Sequence, residues 1–161
     1  MYREMNPGAT HISVLAACIA YTDGPVLEVG CGENSTPFLH YLCKNRLLVS
    51  LENYLPWIQG FEEFNTGSHK VIYVPDYAGC HLIDDPWDVV FIDHAPALRR
   101  KEDIKRVADK AKLVVVHDTE CPDYRYEEVY PMFKYHLPYK RYAVWTSILS
   151  NHIDPALVMN Q

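Results

Sequence analysis

Five acidic residues stand at or near the ends of short apolar runs. They are Glu28 in Pro25 to Val29, Glu52 after Arg46 to Leu51, Asp76 after Lys70 to Val74, Asp93 after Trp87 to Ile92, and Asp118 after Lys112 to Val116. Histidines flank the last two acids, as His94 and His117. Carboxylates accept hydrogen bonds from hydroxyls and amines, and they bind hard cations. Imidazole exchanges a proton near neutral pH. This set suits hydroxyls, amines and metal ions, and does not suit a phosphate-rich ligand. Gly30 and Gly32 follow the first run, where the chain must turn. Without a Cβ, a ligand can lie close to the backbone there.

The elements that must gather these residues are strands alternating with helices. The runs named above predict five strands, each a near-continuous Val/Ile/Leu segment of the kind covered on both faces of a parallel sheet. Between them the spacing predicts helices over Thr10 or His11 to Ala20, Pro37 to Cys43, Leu55 to Phe64 and Leu98 to Lys110. Asn34, Ser35 and Thr36 are candidate caps for the second helix. Later, Glu127 to Tyr135 reads as helical, and Tyr139 to Trp145 with Thr146 to Ser150 as a terminal antiparallel pair. Strand–helix alternation implies a parallel sheet with right-handed crossovers, with ligands at the carboxyl ends of the strands. The expectation is one α/β domain, Rossmann-like, spanning residues 1–161.

Composition narrows the setting. Of 161 residues, 48% are hydrophobic and 22% charged, enough for one real core. A net charge of −6 gives no general attraction to nucleic acid or an anionic membrane, and neither is expected as a partner. The basic cluster Arg99, Arg100, Lys101, Lys105 and Arg106 reads as a solvated helix face. Five scattered cysteines without a CxxC pair suggest reduced thiols, hence a cytoplasmic protein. Cys31 and Cys121 have no histidine fixed beside them by sequence, and read as small hydrophobes rather than nucleophiles.

With these motifs in place, the chain resembles the class I S-adenosylmethionine-dependent methyltransferases from about His11 to Ser150. Glu28-Val29-Gly30-Cys31-Gly32 is similar to the family's acidic-x-Gly-x-Gly signature, with Asn34 in place of a third glycine. The resemblance implies a sheet of order 3-2-1-4-5 with the terminal β-pair. It implies S-adenosylmethionine as cofactor, held by Glu28, Gly30, Gly32, Ser35, Glu52, Asn53, Asp76, Tyr77 and Asp93. Glu52 would hold the ribose, because one carboxylate accepts two hydrogen bonds from a cis-diol. Asp76 and Tyr77 would flank the adenine.

Phe91 to His94 and Val114 to Asp118 resemble the strand ends of small-molecule O-methyltransferases. That likeness implies Asp93 and Asp118 as ligands of a magnesium ion, with Thr119 or Glu120 as third. It implies His94, His117 and Asp118 as the catalytic groups around a hydroxyl of a small-molecule acceptor. The lysine base of the catechol enzymes is missing, since Ala95 and Pro96 follow His94. The amino-methylating D/N-P-P-aromatic motif is also not matched. Candidate acceptor elements are Tyr2 to His11 and the tyrosine-rich stretch Tyr124 to Tyr135, short enough that a homo-oligomer could complete the pocket. The alternatives are a donor-binding domain without turnover, or a hydroxylase or lyase on the same scaffold.

Overall fold

The computed structural model describes residues 6–160, so Tyr2 and its neighbours in the expected acceptor segment lie outside it. Five parallel strands lie where the apolar runs predict them: β1 (Val26–Val29), β2 (Leu48–Glu52), β3 (His69–Tyr73), β4 (Val89–Ile92) and β5 (Leu113–His117). Every residue of β1, β2, β4 and β5 is buried, so their sequences show no polar alternation. β7 (Thr146–Ser150) runs antiparallel to β5, and β6 (Tyr135–Tyr139) closes the sheet in the order β3-β2-β1-β4-β5-β7-β6.

Helices cover both faces. On one, α1 (Ile12–Tyr21), α2 (Ser35–Leu42) and α5 (Pro155–Met159) pack Leu15, Leu39 and Val158 onto Val89, Phe91 and Val115. On the other, α4 (Arg100–Val107) sets Ile104 and Val107 against Val90, Ile92 and Val114. A short α3 (Leu55–Ile58) continues as a 3-10 turn to Phe64. Among the described residues no helix is long and apolar enough to cross a membrane.

The carboxyl-terminal third departs from expectation. Glu127 to Tyr135 is not a helix but two 3-10 turns, Tyr126–Glu128 and Tyr130–Met132. Pro131 has no N–H to continue a helical ladder. The strand paired with β7 is Tyr135–Tyr139 rather than Tyr139 to Trp145. Its half-buried Tyr135, Leu137 and Tyr139 alternate with exposed His136 and Pro138, a pattern an edge strand tolerates.

Register decides what meets at the carboxyl edge. Val29 pairs with Ile92, and Ile92 with Val116. Gly30, Asp93 and His117 therefore emerge side by side from three adjacent strands.

Candidate functional site

The glycine turn is built by its neighbours. Gly30 has φ +95°, and a Cβ there would lie 2.6 Å from the Cα of His94. Its N–H donates to Leu51 O at 2.8 Å. Next, Cys31 N–H donates to Glu52 Oε2 at 3.1 Å, and Trp57 Nε1 donates to Cys31 O at 2.7 Å. Glu52 Oε1 accepts from the backbone N–H of Asn53 (2.9 Å) and Tyr54 (2.8 Å). Glu52 thus accepts three amides, one from the glycine turn and two from the residues after itself, and with about four lone-pair directions on a carboxylate it keeps one for a ligand.

Thr36, not Asn34, completes the turn. Its hydroxyl accepts from Gly32 N–H at 3.0 Å and donates to Glu28 Oε2 at 2.9 Å. Ser50 donates to the same oxygen at 2.5 Å, and Glu28 Oε1 has no partner among the described residues. Ser35 is buried at the start of α2, beneath Gly32.

Burial pushes the Glu28 carboxyl up to about 7 from its ordinary 4.5, although the hydrogen bonds from Ser50 and Thr36 oppose the shift. The sign follows from linkage. A raised folded-state pKa means the fold holds this proton more tightly than the unfolded chain does. That contribution is complete below pH 4.5 and is lost as pH rises through about 7. It amounts to about 3 kcal/mol. Glu28→Gln is therefore expected to flatten the decline in stability between pH 5 and pH 8. Urea unfolding at the two pH values checks this, and parallel behaviour of variant and wild type would sink it.

The adenine-side expectations fare differently. Asp76 is exposed and caps Ala78 N–H at 2.9 Å. Tyr77 is not presented to a ligand: its ring is core, 4.4 Å from the His94 ring, with its hydroxyl donating to Leu51 O at 3.4 Å. Asn53 Nδ2 reaches across the edge to Ala95 O at 3.0 Å.

Beyond β4 and β5 the acids surround a guanidinium. Arg100 is 6% exposed. It donates to Asp118 Oδ2 at 3.0 Å and through Nε to His94 O at 2.7 Å, and it forms an ion pair with Asp93 Oδ1 at 3.0 Å. Arg100 is thus buried among acids and not part of a solvated helix face, contrary to the expectation from its basic neighbours. His117 Nδ1 lies 3.3 Å from Asp93 Oδ2 and 3.5 Å from Asp118 Oδ1, and its Nε2 lies 2.9 Å from Thr10 Oγ1. Burial opposes a charge on His117, but the hydrogen bond and charge of Asp93, with Asp118, outweigh it and raise its pKa. Asp118 sits in the left-handed region at φ +58°. Tyr124 lies under Arg100, with its ring centre 5.5 Å from the guanidinium carbon. The other aromatics of that stretch serve packing: Tyr126 and Phe133 are core, and Tyr130 stacks on His136 at 3.9 Å.

His94 does not face this cluster. It is 1% exposed, with Nε2 3.1 Å from Asp103 Oδ2 but not aligned as a hydrogen bond. Asp103 is in turn held by Arg99 and Arg106. Burial lowers the His94 pKa, and Asp103 only partly offsets it. Buried against Asp103, His94 is not placed to take a proton from an acceptor at the sheet edge.

Two comparisons by sequence find nothing: no family model matches the chain, and no curated protein is significantly similar. Solved structures match in fold. The N-terminal domain of human METTL16 in complex with SAH superposes with a TM-score of 0.62 at 12% identity, covering 95% of this chain and 73% of that one. The human METTL16 catalytic domain bound to an RNA hairpin gives 0.65 at 11%, covering 96% and 73%. A Staphylococcus aureus protein described as a caffeoyl-CoA O-methyltransferase gives 0.65 at 14%, covering 92% and 85%. The fold is that of the class I S-adenosylmethionine-dependent methyltransferases.

On this methyltransferase fold the two proposed magnesium ligands do not fit the ion. Each carboxylate of the Asp93/Asp118 pair is already ion-paired at 3.0 Å with Arg100, whose guanidinium cannot deprotonate and supplies the positive charge that the ion would. The third-ligand candidates are also engaged: Thr119 Oγ1 accepts from Ser147 Oγ and Glu120 Oε2 from Trp145 N–H. Cys31 is no nucleophile either, because burial and then the charges of Glu28 and Glu52 push its thiol far above the ordinary value.

Proposed function

We propose that the chain binds S-adenosylmethionine along the carboxyl edge of β1, β2 and β4 and passes its methyl group to an acceptor seated against Asp93. The observation that carries this reading is the register that sets the Gly30 turn beside Asp93, with Glu52 holding the turn from the next strand. Its residues fit the donor. Glu28 has a buried oxygen without a partner behind the turn, suited to an amino group, and Glu52 keeps one acceptor direction for a ribose hydroxyl.

When bound, the donor supplies a methyl on a positively charged sulfur, which takes the C–S electron pair as the acceptor's lone pair forms the new bond. The chain's own tasks are alignment and removal of the acceptor's proton. Arg100 fixes Asp93 from one side and His117 from the other, leaving its carboxylate 24% exposed. That pair receives the proton. Asp118, fixed by the same guanidinium, flanks the acceptor.

The acceptor in this reading is a hydroxyl of a small molecule. A nucleic-acid acceptor is the second reading, because one structural neighbour is bound to an RNA hairpin. The net charge of −6 opposes it.

Calorimetry with S-adenosylmethionine tests the first step. A Kd in the micromolar range is expected, with Glu52→Ala weakening it at least about tenfold through the lost clamp. No binding at millimolar donor would remove the proposal. Product analysis with hydroxyl compounds and RNA hairpins then separates the acceptors. Donor binding without transfer to any of them would indicate a binding domain, and donor cleavage without acceptor would indicate a lyase.

A further inference from the structure

On the α1 side of the cluster two imidazoles and a carboxylate converge: ligand atoms of His11, Asp93 and His117 all lie within 4.8 Å of one another. His11 is 2% exposed at the start of α1, its ring 4.7 Å from those of Phe91 and His117. Both of its ring nitrogens are buried and have no partner among the described residues. A polar group in that state costs about 1–3 kcal/mol unless something satisfies it. His117 shows a matching demand. Thr10 uses its hydroxyl hydrogen on Pro7 O at 3.2 Å, so its oxygen accepts from His117 Nε2–H. That leaves Nδ1 facing two carboxylate oxygens, where it must carry a proton or a metal ion.

We propose that His11, His117 and Asp93 bind a borderline divalent cation, zinc in the first instance. Two imidazoles select such an ion over magnesium or calcium. Donor atoms about 2.0–2.1 Å from a tetrahedral zinc stand about 3.3–3.4 Å apart. The separation of His117 Nδ1 and Asp93 Oδ2 is 3.3 Å. His11 has only ring packing to give up when it turns toward the ion. Asp93 binds through Oδ2 and keeps Oδ1 on Arg100, so the bond that excludes magnesium orients this ligand. Thr10 fixes the His117 ring from behind, as outer partners of metal-bound histidines do. Oδ1 of Asp118 lies 3.5 Å from the same Nδ1 and adds a further acidic oxygen beside the set.

The site shares Asp93 and His117 with the proposed acceptor pair, where an ion takes the place of the proton, and its test uses neither donor nor acceptor so that the two readings fail separately. Zn2+ is titrated into the full chain against a chromophoric chelator, and the Co2+-substituted protein is examined for d–d absorption. One ion per chain is expected, with the intense bands of a four-coordinate site. His11→Gln and His117→Ala should each weaken binding at least about 100-fold, and Thr10→Val about tenfold. His40→Ala is the control, because His40 and His69 form a separate imidazole pair at 3.1 Å. Thermal unfolding of each metal-free variant separates lost ligation from lost fold. Failure of the wild type to compete with the chelator overturns the proposal. So does binding that survives His11→Gln and His117→Ala but is lost in His40→Ala.

Discussion

Gly30→Ala is expected to destabilise the chain by about 2–5 kcal/mol, while Gly32→Ala costs less than about 1 kcal/mol. Two costs coincide at Gly30. Its φ of +95° is one that an L side chain rarely adopts, and the added Cβ would stand 2.6 Å from His94 Cα and 2.8 Å from His94 N. Both contacts are backbone atoms of the segment leaving β4, where register holds them against β1. Relief therefore requires the two strand ends to part, which also disturbs the N–H of Asp93 on Val29 O at 3.0 Å. At Gly32 the nearest contact is only the hydroxyl of Ser35, at 2.7 Å, and a rotamer change relieves it. Urea unfolding of the two variants is the measurement. Equal losses would show that close approach to His94 is not what demands a glycine.

The contrast between these glycines shows where the sequence was informative. The turn itself was readable from residue types, because an apolar run, two glycines and hydroxyl-bearing residues permit little else. Which glycine is indispensable was not, since it depends on a segment more than sixty residues away. The parallel strands were readable for the same local reason, and their order came from the resemblance. The β6 edge strand was not, because Pro131 and Pro138 obscure both helical and strand periods.

Arg100 is the instructive miss. It lies four residues before Ile104 and seven before Val107, so helical spacing already put it on the inward stripe. Its charge and its basic neighbours suggested a solvated face instead. Asp103, four before Val107, was hidden in the same way, and it anchors Arg99 and Arg106 while fully buried. The sequence marks His11 as a helix start and as the end of a candidate acceptor segment, but nothing local indicates that α1 lays it against His117. The resemblance puts Tyr77 beside the adenine, yet the turn folds it inward onto His94.

Replacing Arg100 by methionine is expected to cost about 2–4 kcal/mol, below the full penalty for a broken buried ion pair because Asp93 and Asp118 keep some solvent. The variant leaves two carboxylates facing each other and His94 O without its donor. Arg100→Lys should recover less than half of the loss, since one ammonium cannot serve three acceptors in a fork. Adding Asp118→Asn to Arg100→Met should restore part of it by removing the repulsion, and a double-mutant cycle in urea measures the coupling. The same variant tests why magnesium does not fit. With the guanidinium gone, the acid pair becomes an oxygen site for a hard cation, so millimolar Mg2+ should raise the Tm of Arg100→Met and leave the wild type unchanged. A comparable rise in the wild type would mean that the acids are free to leave Arg100, and the magnesium reading would then regain its footing. If Mg2+ moves the variant alone, the cation that organises Asp93 and Asp118 in the native chain is a side chain. The acceptor's proton must then be handled by Asp93 and His117 in the presence of a fixed positive charge.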